Sequence, residues 1–287
     1  MHWNWTWRNI RLLSAITLTI LAGKAAAQES PQVKFVRKLY VHKLISNDSI
    51  SGITAVIRDI CLKTKYKEKI AINNGYSAQR LNFYIIDSRK DTSLRDLCAF
   101  AGAQIIFLDK YFLTNYLDRL QVLKGKNKAQ KQTAYTDFQY WVIGHEIAHA
   151  DLGHTTGHFI NNDKPKTQEI ARHFHFLELE ADKRSVTYLP MVVRRALPAQ
   201  LVSLFNVTYI KTYGEPHTTN RYLRCENTDP YLTIPYHLDG SHPLMTIRTA
   251  VLLYLIKPSP VITREAYEFL EQSQLDYIKG LDGKEFH

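Results

Sequence analysis

A chain of 287 residues with 45% hydrophobic residues can bury a sizeable core, which excludes a wholly disordered polymer and suits one large domain. Its formal charge of +10 arises from 37 Lys and Arg against 27 Asp and Glu. The basic clusters at residues 34–43, 63–69 and 124–131 lie apart and lack the aromatic interleaving of a nucleic-acid surface, so no nucleic-acid partner is expected.

At the start of the chain, Arg8 and Arg11 precede an apolar run over residues 12–23. Ala25, Ala26 and Ala27 then supply small residues for cleavage before Gln28. This layout predicts a signal peptide at residues 1–27 followed by a single domain over 28–287, in a protein exported to the periplasm or secreted. The apolar run is a dozen residues, short of the roughly 20 that span a bilayer, which favours cleavage over a retained anchor. No transmembrane helix is expected after its removal. Loss of Arg8, Arg11 and Lys24 would lower the charge from +10 to +7. Three cysteines, Cys61, Cys98 and Cys225, show no Cys-x-x-Cys spacing, so buried thiols are expected; export also permits a disulfide.

Residues 31–45 suit either an extended strand or an opening helix. Ile53, Val56, Ile57 and Ile60 have helical spacing, and Asn73-Asn74-Gly75 marks a turn before a strand over 80–86. A second strand is predicted at Gln104, Ile105, Ile106, Phe107 and Leu108, then a helix over 110–123. A lysine-rich loop at 125–133 leads to a helix over 134–153, with Asp137 as a cap near its start and Gly153 as terminator. After a polar loop at 155–166 comes a helix over 167–189, stopped by Pro190. Further helices are expected over 199–212, 246–255 and 263–278, with an irregular stretch at 213–235. No internal repeat is visible. The fold class is therefore α+β and mainly helical, with a small β-sheet preceding the helix that carries the chemistry.

That chemistry is the run His145-Glu146-Ile147-Ala148-His149. On a helix, two imidazoles four residues apart share one face and can hold a zinc ion together. Glu146 borders the same metal and can take a proton from a zinc-bound water. Independent placement of the 12 His and 12 Glu of this chain would produce the pattern roughly 0.02 times.

Two histidines need a further ligand. A third His six residues after His149, with Gly at the third, would mark a metzincin; Thr155 and Leu152 stand there instead. His154 misses by one and reads as a helix-end or loop histidine. On the next helix, Glu178 and Asp182 share a face, and Ala181 is small enough for two helices to approach closely. Glu178 can then bind the metal while Asp182 takes the outer ring N–H of a ligating His. Glu180 is expected to face solvent. His173 and His175 are weaker rival ligands, and the bland alternative makes all three acids ordinary surface residues.

Four stretches together resemble the gluzincin metallopeptidases of the HtpX and CaaX prenyl-protease type. In chain order they are Cys98-Ala99-Phe100 with Gln104 to Leu108, His145-Glu146-x-x-His149, Glu178-x-x-Ala181-Asp182, and Ser241-His242-Pro243 with Arg248. The resemblance implies a zincin-like metallopeptidase domain with one zinc per chain, held by His145, His149 and Glu178, and with Glu146 as catalytic base. It implies that the Gln104–Leu108 strand is an edge that receives a peptide substrate by strand addition. His242 would steady the substrate oxyanion, and Arg248 would support the site from behind its ligands. The family commonly has Asn where this chain has Cys98, and the membrane helices or helical repeats of many members have no counterpart here.

The expected function is a zinc-dependent endopeptidase acting on exported or envelope proteins. Alternatives are a zinc amidase acting on cell wall or small molecules, a regulatory protease like the ImmA-type regulators, and a non-catalytic peptide-binding module. The ImmA-type reading is disfavoured by the signal peptide, the module by any bound zinc. Oligomeric state is open.

Overall fold

Short apolar runs and helical periodicities become a four-stranded sheet covered by helices in the computed structural model, which describes residues 30–95, 97–154, 168–213 and 243–282. The first element resolves the ambiguity at residues 31–45. It is helix α1, Pro31–Val41, started by the Ser30 hydroxyl, which accepts the Val33 N–H, and by a proline in its first turn. Helix α2, Ser51–Cys61, buries Ile53, Val56, Ile57 and Ile60 on one face, as their spacing predicts.

The strands are β1 (Ile70–Ile72), β2 (Leu81–Ile86), β3 (Cys98–Phe100) and β4 (Ile105–Asp109), in the order β1-β2-β4-β3. β1, β2 and β4 run parallel, and β3 is antiparallel to β4. Every residue of β2 and β4 is buried, so neither shows the polar alternation of a one-sided sheet. One face packs Tyr84, Ile105 and Phe107 against Val36 and Leu39 of α1. The other packs Phe83, Ile85 and Ile106 against α2 and against Ile143 and Ile147 of a long central helix.

That helix is α4, Lys128–Leu152, reached through α3, Phe112–Leu120. It begins two turns earlier than its apolar pattern suggests. Asn127 and Gln130 form a reciprocal capping box, and the exposed lysine-rich turns that follow carry no apolar period to reveal them. Asp137 is therefore not a cap. It is buried mid-helix, where it accepts a 2.6 Å hydrogen bond from Gln200 Nε2. Gly153 ends the helix in the left-handed region, as expected.

The opposite flank of α4, with Phe138 and Trp141, enters a second core built with α5 (Gln168–Tyr188), α6 (Met191–Tyr213), α7 (Met245–Ile256) and α8 (Pro260–Asp282). α6 starts directly after Pro190 and contains Pro198, so it begins earlier than the helix expected over 199–212. A proline inside a helix costs about 3 kcal/mol; burial of Leu197, Leu201 and Leu204 in the second core offsets it. Close approach of α4 and α5 rests on Ala181, fully buried, and on Gly144, whose added Cβ would lie 3.6 Å from Ser185 Cβ.

The strand expected to be an edge is not one. β4 lies between β2 and β3, and the outer strand on that side of the sheet is the three-residue Cys98–Phe100. A run of Cys, Ala and Phe is too short and too poor in β-branched residues to read as a strand, so the stronger β4 took its place in the sequence reading. No described helix is long and apolar enough to cross a membrane. The expected signal peptide, the loops at 155–166 and 213–235 apart from Tyr213, Cys225, Ser241 and His242 lie outside the described residues.

Candidate metal centre

α4 carries His145 and His149 one turn apart, with their Nε2 atoms separated by 3.0 Å. α5 crosses beside them and presents Glu178, whose Oε2 is 3.1 Å from His145 Nε2 and whose Oε1 is 3.4 Å from His149 Nε2. One ligand atom from each residue lies within 4.8 Å of the others, and all three side chains are buried. Two imidazole nitrogens and one carboxylate oxygen converging in this way can hold a metal ion and leave a coordination position open. Among the described residues this is the group placed to do so. His173 is exposed; His175 is buried one turn before Glu178 without joining the group.

Of the residues expected to support the site, Asp182 and Arg248 lie beside His145. Asp182, fully buried, takes the outer nitrogen of His145 at 2.9 Å. It also accepts Arg248 Nε and Nη2, both at 2.8 Å, and Trp141 Nε1 at 3.2 Å. Arg248 Nη2 lies 3.1 Å from His145 Nδ1 as well. The carboxylate is the closer group and an acceptor, so the Nδ1 proton belongs to the bond with Asp182. Burial alone would push the Asp182 carboxyl up, but Arg248 and His145 outweigh it and hold it well below the usual carboxylate range. At His145, burial and Arg248 disfavour charge, yet Asp182 and Glu178 raise the ring to about 9. Burial lowers His149.

Glu146 turns from the helix toward the sheet, where its Oε2 accepts the Phe100 N–H at 2.6 Å. Burial pushes its carboxyl up to about 7. The Phe100 ring lies parallel to His149 at a centroid distance of 6.4 Å. Ladder bonds from Asp109 N to Leu97 O and from Ala101 N to Ile105 O show which β3 residues face β4. By the alternation of an antiparallel pair, Cys98 and Phe100 direct their backbone groups away from it, toward the outer edge and Glu146. Cys98 also lines a small cleft of about 40 Å³, together with Leu108, Asp109, Lys110, Phe112 and Ile143. Cys61 and Cys98 are both free thiols.

His154 is a helix-end histidine, as its position predicts; its contact with His149 is what sequence reasoning missed. Gly153, at φ +76°, folds the chain back over the last turn of α4, so that His154 N donates to His149 O at 2.9 Å. The His154 ring is buried, with its Nδ1 2.9 Å from His149 Nδ1. Its Nε2 is 3.5 Å from Oε2 of Glu180, whose side chain is 40% exposed and so faces solvent as expected while reaching His154. A histidine directly after a helix-ending glycine is the signal that could have identified the contact. Comparison with family models, with curated proteins and with solved structures finds no match, and the reading of this centre rests on its own geometry.

Proposed function

We propose that this chain is a zinc-dependent endopeptidase of zincin-like architecture, acting on exported or envelope proteins. The convergence of His145, His149 and Glu178 from two helices carries the reading. The donor set fits zinc, which accepts imidazole and carboxylate ligands and keeps an open position in catalytic sites. Zinc would supply Lewis-acid polarisation of a peptide carbonyl and a lowered water pKa.

Glu146 follows His145 on α4 and is bonded to the Phe100 N–H of β3. It takes a proton from the attacking water and returns it to the leaving amine. The outer edge of β3, rather than β4, receives the substrate backbone through the outward groups of Cys98, the neighbouring Phe100 N–H being held by Glu146. Arg248 and Asp182 keep His145 oriented, and the resemblance gives His242 the part of steadying the oxyanion.

The test is metal analysis together with proteolysis of casein by purified protein. About one zinc per chain, lost in His149→Ala, and casein cleavage abolished in Glu146→Gln are the expected results. Metal-free wild-type protein would remove the reading. Cleavage of cell wall but not casein would replace it with the amidase.

A further inference from the structure

Both imidazoles of the centre have an outer nitrogen that must be held if the inner one is to point at a metal. For His145 the holder is Asp182. For His149, among the described residues, no carboxylate is in direct reach of Nδ1; the group there is the His154 ring, 2.9 Å away and edge-on, with ring centroids 5.0 Å apart. We infer that His154 is a positioning residue that fixes the ring of His149 through an Nδ1-to-Nδ1 hydrogen bond, anchored in turn by Glu180.

The inference rests on His149 being a metal ligand through Nε2. With Nε2 turned to His145 and Glu178, the ring proton of neutral His149 is on Nδ1 and can only be donated outward. His154 Nδ1 accepts it, which puts the His154 proton on Nε2, facing Glu180 Oε2 at 3.5 Å. Each donor in this chain faces an acceptor, the last across 3.5 Å. Its backbone is equally constrained, because Gly153 in the left-handed region and the bond from His154 N to His149 O tie the residue to the turn that bears His149. Glu180 belongs to α5, as do Glu178 and Asp182. One helix thus provides a ligand, the direct anchor of one imidazole and the relayed anchor of the other.

Groups that orient metal-bound histidines typically carry a 10–100-fold effect on metal affinity. The experiment uses the full chain and zinc alone, with affinity read by competition against a chromophoric chelator and geometry read from the visible spectrum of the cobalt-substituted protein. His154→Phe keeps the ring volume and removes the acceptor; it should weaken zinc binding by about 10–100-fold and alter the cobalt spectrum. His154→Asn places Oδ1 where Nδ1 stood and should recover most of the loss. Glu180→Gln should give a smaller loss, and should report on the relay even if the Phe variant fails to fold. Wild-type affinity in His154→Phe, or an Asn variant as weak as a folded Phe variant, would overturn the positioning role while leaving the metal centre intact. Absence of zinc from the wild-type chain would overturn the metal centre and the relay together.

Discussion

The backbone N–H of Phe100 donates a 2.6 Å hydrogen bond to Glu146 Oε2, tying the outer strand of the sheet to the residue between the two paired histidines. The contact makes Glu146 structural as well as chemical, and two substitutions separate the parts. Glu146→Gln keeps an acceptor for Phe100, so its unfolding free energy should stay close to wild type while turnover falls by about 10²–10⁴-fold or more. Glu146→Ala leaves a buried donor unpaired and should cost about 1–3 kcal/mol in denaturant titration. Equal stability of the two variants would show that the bond contributes nothing to the fold.

Arg248 and Asp182 form a buried pair joined by two 2.8 Å bonds. Removing Arg248 leaves the buried Asp182 carboxylate with only the His145 and Trp141 donors, so Arg248→Met should destabilise by up to roughly 3–5 kcal/mol. The double variant Arg248→Met with Asp182→Leu should regain much of that, because no isolated charge remains. Chemical denaturation of both proteins decides it, and a double variant no better than the single would point to lost packing.

At the α4–α5 contact, a methyl group on Gly144 would meet Ser185 Cβ at 3.6 Å, with Ile60 and Tyr188 atoms at 3.8 Å, all ordinary contact distances. Gly144→Ala should therefore be neutral or stabilising by up to about 1 kcal/mol, the helix-propensity difference. Gly144→Leu has no room and should force the helices apart, costing about 1–3 kcal/mol. Because Glu178 is on the displaced helix, the Leu variant should also lose zinc affinity. Thermal unfolding and zinc titration are the measurements; unchanged zinc binding by Gly144→Leu would show that helix spacing does not set the ligand geometry.

Asp87, buried at the end of β2, accepts Arg89 Nε at 3.0 Å and Nη2 at 2.8 Å, with Lys110 Nζ at 3.5 Å. Hydrogen bonds from Arg89 hold its carboxyl well below the usual range, outweighing burial. A group whose pKa is depressed on folding contributes stability above its unfolded value, about 3.9, and loses it as pH falls toward the folded value. Asp87→Asn should be less stable at pH 7 by about 1 kcal/mol, near the low end for bonds to a charged group because Arg89 is largely exposed. The difference should shrink steadily below pH 4. A gap that is constant from pH 7 to pH 3 would rule out the carboxylate as its source.

Much of the site is legible in one dimension because its parts are local patterns. His145, Glu146 and His149 lie within one helical turn, and Glu178, Ala181 and Asp182 within another; a 3.6-residue period alone predicts which of them share a face. Arg248 came from resemblance rather than spacing. The edge strand was misread for a local reason too, since β4 has the β-branched residues and β3 does not.

The sequence by itself determined the mainly helical α+β class, the two helices that bear the site and which residues share a face on each, because each depends on residues near one another along the chain. Tertiary structure decided which strand is the edge, where Glu146 points, and how His154 closes over His149. Those depend on sheet order, on the separation of α4 and α5, and on one glycine in the left-handed region, and no periodicity along a single element encodes distances between elements.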